Sequence, residues 1–118
     1  MRSGVMTVMA RIYWLAYRIA DHGPYRATWP GRYQALESAV AFVTDTVLWK
    51  ETPSFILFDS EEPLDEIRSH IGKAIDASVD LAVLCDPEAK TGSIIGTAQD
   101  DDIFTLLPFM KKDECACR

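Results

Sequence analysis

A stretch near the start, Met9–Ala20 (MARIYWLAYRIA), is apolar on both of its alternating sets, and nothing else in the chain limits the fold so sharply. Successive side chains of a strand point to opposite faces. Tyr13, Leu15, Tyr17 and Ile19 form one set; Ile12, Trp14, Ala16 and Ala20 form the other. A strand of this kind belongs inside a sheet, with the core on one face and partial cover on the other. It therefore requires neighbours on both edges and a packed layer above it.

The rest of the chain can supply these. Asp21-His-Gly-Pro24 is turn chemistry, so Tyr25–Trp29 reads as a short return strand ended at Trp29-Pro-Gly31. Tyr33–Lys50 reads as a helix, because Tyr33, Leu36, Val40, Val43 and Val47 recur at steps of three and four. Phe42 and Trp49 widen that stripe, and Pro53 is the expected stop. Ser54–Asp59 (SFILFD) is a short apolar strand. Glu61-Glu-Pro63 then opens a second helix, with acids and proline in a first turn that favours both. Leu64, Ile67, Ile71 and Ile75 form its buried face.

Val79–Cys85 and Ser93–Ala98 read as a hairpin joined by a loop over Asp86–Gly92. Asp100 or Asp101 can start a last short helix, Asp102–Leu107, which Pro108 ends. The order is β-β-α-β-α-β-β-α. This predicts an α+β fold: a two-layer, mostly antiparallel sheet of about five strands, two main helices and a short C-terminal helix. Its length, 118 residues, suits one globular domain over 1–118, with 1–7 and 111–118 expected to be flexible.

Composition narrows the function classes. With 48% hydrophobic and 25% charged residues the body is ordinary globular protein, not a disordered tract. The longest apolar runs, Phe55–Phe58 and Leu81–Cys85, are far too short for a membrane span. Arg11 and Arg18 break the N-terminal region before a signal-peptide core could form, and three cysteines give no disulfide framework. A cytoplasmic protein is expected. Charge is uneven: residues 1–50 balance at +3 and residues 51–118 at −9, for a net −6. That sign disfavours nucleic acid, whose binders neutralise phosphates. Arg11 and Arg18, seven apart on one strand, would also point to opposite faces, which breaks up a basic patch.

No chemical motif stands out. Asp100-Asp-Asp102 lacks the alternating spacing of a calcium loop and reads as helix capping. Glu61, Glu62, Asp65 and Glu66 sit at an exposed helix start, where they complement the dipole and nothing shifts a carboxyl toward acid–base work. Cys115-Ala-Cys117 has no second cysteine pair to complete a zinc site, and Cys85 reads as a small core residue. His22 and His70 lie beside no nucleophile motif. The glycines of Thr91–Gly96 are not spaced as a phosphate loop. No catalytic residue, cofactor or metal ligand is expected, and the balance leans against an enzyme.

Two surfaces remain. Tyr13, Trp14, Tyr17, Tyr25, Trp29 and Tyr33 are half of the chain's aromatics, with Arg11, Arg18, Arg26 and Arg32 interleaved. Tyr, Trp and Arg are the residues enriched at binding hot spots, although a filled core layer uses the same rings. The acidic half offers a second surface. Contact with a protein partner, or self-association as a homodimer, is therefore expected at Tyr13, Tyr17, Arg18, Tyr25, Arg26, Trp29, Glu61, Glu62, Asp65, Asp100, Asp101 and Asp102. The expected function is a non-catalytic interaction module. The alternative is a small ligand-binding domain or enzyme with a site between sheet and helices.

Overall fold

In the computed structural model, which describes residues 10–20 and 29–112, the elements run β1 (Arg11–Arg18), α1 (Trp29–Val43), β2 (Leu48–Trp49), β3 (Phe55–Ser60), α2 (Leu64–Ala74), β4 (Leu81–Asp86), β5 (Thr91–Gly96), α3 (Asp102–Leu106) and β6 (Met110–Lys112). The protein is α+β. Its six-stranded sheet has the order β2-β3-β1-β4-β5-β6 and is antiparallel except where β6 joins β5.

The two-faced strand lies in the interior of the sheet. One edge of β1 pairs with β3, from Arg11 opposite Ser60 to Ala16 opposite Phe55; the other pairs with β4, from Trp14 opposite Cys85 to Arg18 opposite Leu81. Both edges are taken by β3 and β4, where the sequence predicts Tyr25–Trp29 as a neighbour. Residues 25–28 lie outside the described residues, and Trp29 opens α1 instead of closing a strand. Pro30 falls in the first turn of that helix, where its missing N–H costs nothing.

The main core lies between one face of the sheet and the two long helices. Tyr13, Leu15 and Tyr17 of β1 meet Leu36, Val40 and Val43 of α1 and Ile67 and Ile71 of α2, all buried. The i, i+4 stripe expected for α2 is the one that packs, and Ile75 just past its end is buried too. Burying side chains of this size stabilises the fold by roughly 1.5–3 kcal/mol each, before chain entropy is counted.

Helix α1 ends seven residues earlier than its periodicity predicts, and Pro53 plays no part in stopping it. Asp59 competes for the chain. Its carboxylate accepts the N–H groups of Thr46 and Val47 (2.8 and 2.9 Å) and the Thr46 hydroxyl (2.5 Å), while its carbonyl accepts the Asp45 N–H (2.8 Å). The β-branched Val43, Thr44, Thr46 and Val47 resist helix, and these bonds hold residues 45–47 in a turn that leads into the short edge strand β2. Val47 is consequently exposed, not core.

The other corrections lie at the C-terminal end. Lys111 and Lys112, expected in a flexible tail, belong to β6, paired with Ser93 and Ile94. The short helix α3 packs on the far face of the sheet. There Ile103, Phe104, Leu107 and Phe109 cover Cys85, Ile94 and Met110, so this half is locally three layers deep. Among the described residues no helix is long and apolar enough to cross a membrane.

Candidate functional site

Register decides which side chains share the far face. Trp14 is opposite Leu57 and Ala16 opposite Phe55, so these four point one way, while Tyr13, Leu15 and Tyr17 point to the helices. Trp49 is opposite Leu57 and joins the same face from β2. Three rings therefore form a row across three strands. Trp14 stacks on Phe55 with centroids 6.2 Å apart, and Trp49 meets the other side of Phe55 edge-on at 6.4 Å. Leu57 and Ile12 flank the row.

At its inner border Trp14 packs against the Cys85–Ile94–Met110 cluster, but the outer part of this half stays open. Ile12, Trp49 and Leu57 are 46%, 44% and 36% exposed, whereas Cys85, Ile94 and Met110 under the α3 segment are 2%, 2% and 4% exposed. Contiguous apolar surface rimmed by polar groups marks contact sites on folded proteins.

The residues expected to touch a partner are scattered differently. Tyr13 and Tyr17 are core, 1% and 7% exposed, and serve the interior in place of a surface. The Tyr13 ring stacks on Phe58 at 5.7 Å and its hydroxyl donates to the Glu62 carbonyl (2.9 Å). Tyr17 meets Tyr33 edge-on at 5.5 Å. Burial pushes both phenols up from their ordinary range, and the Tyr33 hydroxyl adds to the shift of Tyr17. Arg18 is exposed at the end of β1 and reaches the Thr97 carbonyl at 3.4 Å. Glu61, Glu62, Asp65, Asp100, Asp101 and Asp102 are all exposed. Asp100 caps the Asp102 N–H (2.9 Å), while Asp101 makes no side-chain cap. Tyr25 and Arg26 lie outside the described residues, as do His22, Cys115 and Cys117, and Trp29 is described in its backbone alone.

Arg32 is the least expected placement. Read from sequence as part of a basic fringe, it is 1% exposed and forks onto Asp80, with Nε to Oδ2 at 2.8 Å and Nη2 to Oδ1 at 3.2 Å. Asp80 also accepts the N–H groups of Ala20 and Asp76, both at 2.8 Å. One buried ion pair thereby ties the exit of β1, the first turn of α1, the end of α2 and the start of β4. Local pattern could not show it, because the partners are 48 residues apart in sequence. A hint existed in Asp80 itself, which shares an alternating set with Ala82 and Leu84, the two core residues of β4.

Chemistry finds little purchase. Asp59 is occupied with its turn. Burial works to raise its carboxyl, but the bonds from Thr46 and Val47 outweigh that and hold it below the usual carboxylate range. Asp86 receives Arg11 at 3.1 Å and caps the Glu88 and Ala89 N–H groups of the β4–β5 turn. Burial pushes the Cys85 thiol up, and the Asp86 charge adds to it, the opposite of an activated nucleophile. His70 sits half-buried on α2 with its ring 5.2 Å from Phe42. No cluster of three or more His, Cys, Asp or Glu side chains that could hold a metal ion occurs among the described residues.

The chain matches no family model, no curated protein and no solved structure.

Proposed function

We propose that this protein is a non-catalytic interaction module that docks another protein on the open half of its sheet. The row Trp49–Phe55–Trp14, flanked by Ile12 and Leu57, supports this reading. Aromatic anchors at the centre of a patch provide most of the free energy in protein contacts. Here Trp14 and Phe55 rest on strands bonded on both edges, so little freedom is lost on binding. The exposed carboxylates 61, 62, 65 and 100–102 form no part of this face and are expected to tune the approach of a basic partner.

The test is affinity capture from native extract with the wild-type chain and Leu57→Asp in parallel, alongside sedimentation of the purified chain. A charge at Leu57, 36% exposed, is expected to abolish partner recovery and leave the melting temperature nearly unchanged. If Leu57→Asp recovers the same proteins as wild type, the open half is not the docking face. A wild-type dimer that Leu57→Asp dissociates identifies the partner as a second copy.

A further inference from the structure

A concavity lies at one end of the sheet, lined by none of the residues of the aromatic row. It encloses about 760 Å³ where α2 begins, above the ends of β1 and β4–β6, within the range of small-molecule sites. Its floor holds Tyr13 and the Arg11–Asp86 pair, with Arg11 57% exposed and the Asp86 carboxylate 2% exposed. Asp86 is fully engaged, by Arg11 on one oxygen and two turn N–H groups on the other. Arg11 is bonded through one terminal nitrogen, which leaves further donors on its fork.

Charge divides by side. Lys90 and Lys111 line the groove from the β4–β5 turn and from β6, and neither has an ion-pair partner among the described residues. Glu61 and Glu62 line it from the start of α2. Asp65 lines the same side, largely exposed and 3.8 Å from Arg68. The lining is also apolar, from Pro63 and Leu64 beside Glu62 and from Phe109 near Lys111. A simple anion would meet two glutamates, and a simple amine would meet two lysines and Arg11. A molecule with a carboxylate at one end, an ammonium at the other and an apolar middle satisfies both sides at once.

We propose that this groove binds a small zwitterion whose two charges are separated by an apolar spacer, with its carboxylate toward Arg11, Lys90 and Lys111 and its ammonium toward Glu61 and Glu62. The site is independent of the docking face. Lys90 carries φ +57°, a region that favours glycine, so Lys90→Gly removes a charge while easing the backbone.

The probe is 6-aminohexanoate, titrated into the isotope-labelled full chain at low salt and followed by amide shifts, with hexanoate and hexylamine as half-ligands. Saturable shifts confined to residues around Lys90–Gly92, Glu62–Leu64 and Lys111 are expected, with at least about tenfold weaker binding of each half-ligand. Lys90→Gly and Glu62→Gln should each weaken the probe about fivefold or more at unchanged melting temperature, and Leu57→Asp should not affect it. Absence of saturable shifts at about 10 mM probe overturns the proposal. So does hexanoate binding as tightly as the zwitterion, or a probe affinity that both groove variants leave intact.

Discussion

The two halves of the far sheet face differ in cover far more than in residue type. On the β4–β5–β6 half, Cys85, Ile94 and Met110 are sealed beneath the α3 segment. On the β2–β3–β1 half, Ile12, Leu57 and Trp49 are similarly apolar, yet more than a third of each remains in contact with water. Both halves belong to one continuous sheet backed by the same helical layer. The covered half gains free energy from its own chain; the open half leaves that gain unrealised. Stability and binding are thus separable on one surface, which makes the contrast measurable.

Distorting the covered half at its root should cost most. Gly96 ends β5 at φ +99°, and a Cβ there would lie 2.1 Å from the Asp80 carbonyl oxygen. Gly96→Ala forces the backbone of β5 away from Asp80, the acid of the buried Arg32–Asp80 pair. A loss of about 3 kcal/mol or more is expected in urea unfolding. Ile94→Ala, in the middle of the same half and 2% exposed, should cost about 2–4 kcal/mol by the lost transfer energy and the cavity left behind. If Ile12→Ala on the open half cost as much, the two halves would not differ in the way their exposure indicates.

Asp59 guards the outer boundary of the open half, because its carboxylate holds the turn that delivers β2 and Trp49. Asp59→Ala should cost roughly 2 kcal/mol, the order of a hydrogen-bonded charge removed from its donors. The pH dependence has a definite sign. Its folded-state carboxyl is held below the ordinary range, so the stabilisation is complete above the unfolded value and is lost as pH falls through the folded one. In melts between about pH 7 and pH 3, the gap between wild type and Asp59→Asn should therefore narrow on the acid side. A gap that widens with acid would show that Asp59 is not ionised in this turn.

How far the sequence could be read follows from how local each cause is. The buried stripe of α2 and the β4–β5 hairpin need only local neighbours. The stripe stands where periodicity places it. The hairpin forms with its strands at Leu81–Asp86 and Thr91–Gly96 and a tighter turn than the expected loop over Asp86–Gly92. The end of α1 and the strand β2 depend on Asp59, a dozen residues further on, and β6 on a parallel partner across α3. The interior placement of β1 was legible; which of its two apolar sets faces the helices was not. Alternation defines two faces without labelling them. Tyr13 and Tyr17 were therefore expected outside, while Ile12 and Trp14 proved to be the pair beside Leu57 and Phe55. The site was missed for the same reason: its row draws Trp49 and Phe55 from segments that look like core when read singly.

The smallest expected effect is the most telling. Leu57→Ser exchanges a side chain already 36% exposed, on the open part of the sheet face, so urea unfolding should shift by no more than about 0.5 kcal/mol. The strand itself stays paired, because β3 is bonded to β1 on one edge and to β2 on the other. Binding of a hydrophobic dye should fall, as apolar area leaves the patch. A loss near 2 kcal/mol would instead mean that Leu57 is packed by the chain's own residues in solution, and the distinction between a half built for folding and a half left for contact would collapse.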